Sequence, residues 1–290
     1  MNVDLHCHSY FSDGKQTPEF LLQRAMDNRI SHLAITDHDC TDALDVAADI
    51  STEVVVVSGV EISCVWGETE IHVLGLLVDR HNEQLSTLLR AQQQSRWQRM
   101  QAMDEKLVAL GTQGLIGYIE QLGCVACSRS HVADFLVDNN LCKSRQKAFK
   151  SHLGRRGKIY VRANWTALAD AIDAIAAAGG IAVLAHPSRY PLNNKKLARL
   201  VEEFKAQGGE GIEGTYANID PATQKQLKAL ALANDLYLSA GSDFHDSAAQ
   251  WTDIGKFPPL DREAQVRAIW HHPRWQALYP CFYTPTPFCR

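Results

Sequence analysis

Side chains that bind metal ions recur at the ends of short apolar runs along this chain. Near its start, Asp4-Leu5-His6-Cys7-His8 places Asp4, His6 and His8 on one face of an extended segment, because strand side chains alternate. Two imidazoles on one face can share an ion. Asp13 follows in Ser12-Asp13-Gly14, a turn sequence able to fold a carboxylate back toward them. Thr36-Asp37-His38-Asp39 closes a second run and Glu61 a third. His72 opens the fourth, His186 closes another in Leu184-Ala185-His186-Pro187, and Asp243 and His245 follow the last. Taken singly, each has a plain structural reading: a satisfied histidine, or a carboxylate in a salt bridge. His32, His81, His152, His271 and His272 have no such placement and keep that reading. Several separate strands that all end in His, Asp or Glu are what a barrel active site requires, because it forms at the C-terminal strand ends. The chemistry such a set supports is metal-assisted hydrolysis. Bound cations lower the pKa of water from about 15.7 to about 7 and clamp the oxygens of a phosphate ester, so no Ser or Cys nucleophile is needed.

The elements that must position these residues are legible in outline. Val3–His6, His32–Thr36, Val54–Ile62, Ile71–Val78, Gly180–Ala185, Gly211–Tyr216 and Leu236–Ala240 read as buried strands. Thr17-Pro18-Glu19 is a helix start, with Thr as N-cap and Pro at the first position. Asp39 or Thr41 can cap a helix running to about Ile50, and Trp165–Ala178, Asn194–Gln207 and Pro221–Asn234 also read as helices. Gly179-Gly180 and Gly208-Gly209 stop two of them. This alternation predicts a mostly parallel sheet with helices outside. Residues 81–161 carry no strand pattern. Leu85, Leu89, Met100, Met103, Leu107 and Leu110 keep helical spacing over one long helix that stops at Gly111, and shorter helices follow near Thr112–Leu122, Ser130–Asn139 and Ser144–Leu153. The expected organisation is a barrel from residues 1–80 and 162–290, interrupted by a helical, substrate-binding insertion over 81–161.

Bulk composition agrees. The chain has 290 residues, 46% of them hydrophobic, enough to fill one α/β barrel. Its net charge of −4 excludes a broad basic face for duplex DNA. The longest apolar stretch, Ala167 to Ala185, contains Asp170 and Asp173 and falls short of a membrane span. Residues 1–15 carry Asp4, His6, His8 and Asp13 rather than an apolar leader, so the expected compartment is cytoplasmic. Eight cysteines in such a chain read as free buried thiols, and Cys124-Val-Ala-Cys127 is a lone pair without a second pair beside it.

In combination, Asp4-x-His6-x-His8-Ser9, Thr36-Asp37-His38, Glu61, Ala185-His186-Pro187 and Asp243-x-His245 resemble the polymerase and histidinol phosphatase (PHP) superfamily over about residues 1–255. Within it, the length, insertion and strand spacing are similar to the nucleoside 3′,5′-bisphosphate phosphatase and 5′→3′ exoribonuclease group, also called the ribonuclease AM group. The resemblance implies a distorted (β/α)7 barrel and three divalent ions. Mn²⁺ is the usual activator, with Mg²⁺, Zn²⁺ or Fe²⁺ as alternatives. By motif, one ion would take His6, His8, Glu61 and Asp243. Glu61 would bridge to a second held by His72 and His186, and a third would take Asp13, His38 and His245. Asp13 stands where some relatives have His, which tilts that site toward harder ions. His6, His8, Glu61, His186, Asp243 and His245 would then form the catalytic centre, with no general acid assigned.

The insertion carries the substrate reading. Lys143, Arg145, Lys147, Lys150, Arg155, Arg156, Lys158 and Arg162 lie in a stretch without Asp or Glu, which is either a field that attracts an anion or a solvated face. By resemblance to the group's Arg-x-His element, Arg129 and His131 would bind a second, 3′-phosphate; a cap at a helix start is the other reading of His131. The implied activity is removal of the 5′-phosphate of a nucleoside 3′,5′-bisphosphate such as pAp, release of 5′-mononucleotides from short RNA in the 5′→3′ direction, or both. Tyr10, Phe11, Tyr160 and Trp66 are candidate base-stacking partners. A histidinol-phosphate phosphatase and a noncatalytic metal-binding module are the alternatives. The aromatic stretch Trp270–Arg290 either covers the barrel or meets a partner.

Overall fold

In the computed structural model, which describes residues 2–280, the apolar runs pair into one sheet. Its strands are β1 (Val3–Cys7), β2 (His32–Ile35), β3 (Val55–Trp66), β4 (Thr69–Leu76), β5 (Thr166–Ala167), β6 (Ile181–Leu184), β7 (Gly211–Tyr216) and β8 (Tyr237–Gly241). The path runs β1-β2-β3-β4-β6-β7-β8, with the short β5 beside β3. Just beyond β8, Asp243 N–H donates to His6 O (2.8 Å) and His8 N–H donates to Phe244 O (2.9 Å), so the last strand returns to the first. That closure demands glycine at position 241, where an added Cβ would lie 2.4 Å from His6 Cβ. It is reinforced by the fully buried Asp4, whose carboxylate accepts from Ser242 N–H (2.8 Å) and Gly255 N–H (2.7 Å). The result is a nearly closed barrel of seven main strands.

The helices surround it as the sequence pattern requires. α1 (Pro18–Asp27) starts where Thr17 accepts from Phe20 N–H, and α2 (Asp42–Ala48) follows β2. The insertion contains α3 (Glu83–Ala109), α4 (Leu115–Leu122), α5 (Arg129–Asp138), α6 (Arg145–Ala148) and a π-helical turn over Phe149–Leu153. α7 (Leu168–Ala177), α8 (Asn194–Ala206) and α9 (Pro221–Ala233) cover β4 and β6 to β8, and α10 (Arg262–Val266) and α11 (Pro273–Leu278) close the described chain. The two ends of α3 do different jobs. Leu85 and Leu89 pack with α7 and β3–β4, whereas Met100, Met103 and Leu107 join Leu115, Ile119, Phe135 and Leu136 in a separate core of the insertion. None of the described helices is long and apolar enough to cross a membrane.

Three local expectations need correction. β4 runs antiparallel to both β3 and β6, because β3 and β4 form a hairpin whose turn, Gly67-Glu68, places Gly67 at φ 59°. Thr41 holds the N-cap position of α2 without a side-chain bond, and the Asp39 carboxylate is instead taken by Ser63 N–H (2.9 Å) and Arg96 (2.7 Å). The helix expected from Trp165 begins only at Leu168, since Thr166 and Ala167 pair with Cys64 and Val65.

The barrel interior is apolar away from the strand ends that carry the histidines. Val3, Leu5, Ala34, Val57, Leu74, Leu76, Ile181 and Val183 fill it, and Trp275 plugs the opposite mouth beside His32 and Tyr279. This part of the C-terminal aromatic stretch therefore covers the barrel; Phe282, Tyr283, Phe288 and the last two cysteines, 281 and 289, lie outside the described residues. Trp275 is fully buried, so Trp275→Ala is expected to lower stability by about 3–5 kcal/mol, read from denaturant unfolding.

Candidate metal centre

Period-two alternation sends His6 and His8 to one place at the end of β1, and the neighbouring strands deliver the rest. Glu61, fully buried in β3, is the common neighbour. Its Oε1 lies 3.0 Å from His72 Nδ1 and 2.9 Å from His186 Nε2. Its Oε2 lies 2.9 Å from His38 Nδ1, 3.3 Å from His8 Nε2 and 3.5 Å from His6 Nε2. Asp243 Oδ1 is 3.4 Å from His6 Nε2 and 3.3 Å from His8 Nε2. On the far side, Asp13 Oδ1 is 3.3 Å from His245 Nε2 and 3.7 Å from His38 Nε2. All nine residues named from the sequence as ligand candidates thus meet at one mouth.

The donor set fits divalent cations. His6 Nε2 and His8 Nε2 face each other at 3.1 Å. Asp13 Oδ1 and His186 Nδ1 are buried without a hydrogen-bond partner among the described residues, and His38 Nδ1 and Glu61 Oε2, 2.9 Å apart, are not aligned for one. Side-chain polar atoms are rarely left so, and ligands bound to one ion at about 2.0–2.2 Å sit roughly 3–3.5 Å apart. The geometry allows four overlapping groups: His8, Asp13, His38 and His245; His6, His8 and Asp243; His6, Glu61 and His186; and His38, Glu61 and His72. His8 thus reaches the Asp13 side as well as the Asp243 side, and His38 reaches Glu61 as well as Asp13.

Electrostatics follow the same logic. Burial, then the neighbouring His245, pushes the His8 imidazole down to about 3, leaving it neutral with a free lone pair. Burial works against protonation of His245 too, but Asp13 and Asp243 outweigh it and hold the ring at about 9. Burial would raise the Glu61 carboxyl, yet His38, His72 and His6 hold it well below the usual carboxylate range. Two ligand-bearing positions have left-handed backbone, His186 at φ 27° and Asp243 at φ 52°. Such strain concentrates at functional sites and costs of order 1–3 kcal/mol each.

Sequence reasoning missed residues that surround the cluster. Glu213 in β7 is fully buried; one carboxylate oxygen meets His6 Nδ1 at 3.0 Å and the other accepts from His186 N–H at 2.6 Å. The available signal was a lone Glu inside a buried strand. Arg189 pairs with Asp243 and lies over Tyr216. A cavity beside the cluster is lined by Asp13, His38 and His72 on the barrel side, and by Arg96, Arg99, Arg129 and Trp165 on the other. Arg96 and Arg99 lie over the Trp165 ring at 4.9 and 5.6 Å.

The predicted substrate contacts are placed differently from one another. Arg129 lines this cavity, 3.2 Å from Glu70. His131 is buried and its Nδ1 accepts from Ser128 N–H (3.1 Å), a capping box at the start of α5. Ser128 Oγ donates to Asp13 Oδ2 at 2.9 Å, linking the insertion to the centre. Of the aromatic candidates, Tyr160 lines a cavity next to His72 and His186. Trp66 turns outward to Glu203 (2.5 Å), and Tyr10 stacks on Phe11 (4.4 Å). Cys124 and Cys127 are free thiols, which burial pushes up to about 12 and about 11.

Known proteins share this architecture. The PHP domain family matches residues 4–183. The chain is 39% identical over 272 residues to the 5′-3′ exoribonuclease Rnm of Escherichia coli K12, covering 92% of each. It is 34% identical over 288 residues to the 3′,5′-nucleoside bisphosphate phosphatase of Chromobacterium violaceum, covering 96% of this chain and 99% of that one. Among solved structures, an amidohydrolase from Chromobacterium violaceum with bound sulfate and no metal superposes with a TM-score of 0.85 at 34% identity, over 93% of this chain and 95% of the other.

Two outcomes follow for metal binding. Glu213→Gln keeps the shape but removes the charge behind His6, and is expected to weaken metal affinity by about 10–100-fold in calorimetric titration. To ligate, His245, held at about 9, must release its proton, as must His6 and His38, which their carboxylate neighbours also push up, so affinity should climb with pH through about 9. An affinity independent of pH between 6 and 9 would remove His245 from the ligand set.

Proposed function

Because the chain belongs to the PHP domain family, we propose that it is a metal-dependent phosphoesterase acting on nucleotide substrates. It removes the 5′-phosphate of nucleoside 3′,5′-bisphosphates such as pAp, and releases 5′-mononucleotides from short RNA in the 5′→3′ direction. The family and the relatives' activities support the hydrolase; one observation on this chain carries the substrate class. Arg99 Nη2 is buried without a hydrogen bond, with Glu70 Oε1 only as near as 3.5 Å. Burial, then the neighbouring Arg129, pushes this guanidinium down to about 10. A desolvated, under-bonded guanidinium beside a second arginine fits an incoming phosphate, which guanidinium binds bidentately. Arg99 and Arg129 border the cavity that begins at His38 and His72, so a phosphate held there belongs to the same substrate as the ester at the centre.

His6, His8, Asp13, His38, Glu61, His72, His186, Asp243 and His245 would hold three divalent ions, Mn²⁺ first among them because carboxylates accompany imidazoles in the donor set. Bound there, they would supply an activated water and neutralise phosphoryl oxygens. The protein's own groups do the positioning. Glu213 fixes the His6 ring, Ser128 fixes Asp13, and Arg189, reaching across Asp243 beside His186, is placed to take a phosphoryl oxygen. Histidinol phosphate, with one phosphate and a cationic amine, leaves Arg99 and Arg129 unused.

The test compares kcat/KM for pAp, AMP, histidinol phosphate and a short 5′-phosphorylated RNA, using protein stripped and reloaded with Mn²⁺. We expect turnover of pAp and RNA, none after chelation, and none in Asp243→Asn. Arg99→Ala and Arg129→Ala should each cost about 10–100-fold on pAp, the loss of a charged hydrogen bond, and little on AMP. Preference for histidinol phosphate, or equal losses on AMP and pAp, would overturn the two-phosphate reading.

A further inference from the structure

The cavity at the centre does not end there. A second cavity of about 280 Å³ shares Glu70, His72 and Arg129 with the first and extends along Arg155 and Tyr160. A third, of about 260 Å³, shares Glu70, Arg155 and Tyr160 with the second and ends at Arg162. Each approaches the lower size of ligand pockets, about 300 Å³. One nucleoside with two phosphates is accounted for by the metal centre and Arg99–Arg129, so the outer part has no role in the chemistry described above. We propose that this continuous groove is the path of the downstream nucleotides of a single-stranded RNA. The 5′ end lies at the metal centre, a base stacks on Tyr160, and following phosphates pair with Arg155 and Arg162. This rests on the reading of the centre as one that accepts the 5′ end of RNA.

Three observations carry it. First, the wall is built rather than loose. Arg99 Nε donates to Val161 O (3.1 Å), Lys106 Nζ to Tyr160 O (2.6 Å), and Arg155 Nη2 to Glu68 O (2.7 Å), tying this loop to α3 and to the β3–β4 turn. Second, its charge is available. Arg155 and Arg162 are exposed and pair with no carboxylate among the described residues, while Glu70, the acid between the cavities, is already shared by Arg99 and Arg129. Glu68 is the one opposing charge at the outer end. Third, the pairing of an aromatic ring with spaced cations is how single strands are held without base readout: the ring takes a base face and the cations follow the backbone. A solvated basic face would need neither a groove nor Tyr160 in its wall.

The experiment measures both binding and turnover with the full chain. Binding uses 5′-phosphorylated, 3′-fluorescein oligouridylates of two and six nucleotides with Mn²⁺-loaded protein in the inactive Asp243→Asn background, read by anisotropy across a salt series. The hexamer should bind at least tenfold tighter than the dimer. Arg155→Ala with Arg162→Ala should erase that difference and lower the salt slope by about 1.4, at ~0.7 per cation lost on a single strand. Tyr160→Ala should cost about tenfold on the hexamer, and Glu68→Lys should tighten it. In turnover, the Arg155→Ala with Arg162→Ala and the Tyr160→Ala variants should lower efficiency on the hexamer relative to pAp by about tenfold. Equal binding of dimer and hexamer, or losses shared equally by pAp and hexamer, would overturn the path. Length-dependent binding without any RNA turnover would leave the groove standing and sink the exonuclease reading instead.

Discussion

Glu61 is the constraint on which the site depends. A fully buried carboxylate within 3.5 Å of five imidazole nitrogens cannot keep its charge without compensation, and no arginine or lysine pairs with it among the described residues. Burying an unpaired charge is prohibitive, so the positive charge has to come from protonated histidines or from cations. The histidines cannot all supply it, since His8 sits too deep among other rings to accept a proton. Cations would satisfy every group at once, neutralising Glu61, Asp13 and Asp243 and occupying the lone pairs that otherwise face one another. Metal bound there would therefore help to hold the mouth of the barrel together.

The insertion is registered on this mouth by a second buried ion pair. Arg96 in α3 reaches Asp39 (2.7 Å), Ser63 Oγ (2.7 Å) and Cys127 O (3.1 Å), while Gln92 donates to Ser63 O (2.5 Å). Asp39 and Ser63 belong to the barrel, and Cys127 immediately precedes Ser128, which holds Asp13. Such a pair contributes little net stability after desolvation, but its directional bonds fix where α3 and the start of α5 lie. The positions of Arg99 and Arg129 relative to the metal centre follow from that registration.

Much of this was legible in the sequence because its causes are local. Alternation along β1 puts His6 and His8 together whatever the fold, and Thr17-Pro18 and the glycines at 111, 179 and 208 mark helix ends through backbone preference alone. The hairpin of β3 and β4 was signalled by Gly67, but the two runs were read only as separate strands of a mostly parallel sheet, since apolar runs of this length carry no direction. Glu213, Arg99 and Trp165 were invisible for another reason. Their roles come from what lies across the barrel or across the insertion, at separations such as the 207 residues between Glu213 and His6. His131 shows the reverse case: the structure gives it a local job at the start of α5, and Arg129 beside it faces the cavity.

The placement of charge explains why the fold separates these parts. The carboxylates that attract cations also repel the phosphates of a substrate. Strand ends alone would thus build a site able to hold metal and poor at capturing a polyanion. Arg99 and Arg129 come from the insertion, so their positive charge faces the strand-end carboxylates across the cavity instead of pairing with them one to one. Glu70 keeps Arg99 and Arg129 apart without neutralising both, at 3.5 and 3.2 Å. An anionic ligand entering between the two walls would meet guanidinium on one side and, on the other, the groups able to hold cations. Because only the insertion wall changes with the residues of α3, α5 and the 154–163 loop, substrate preference can vary there while the strand ends keep the chemistry.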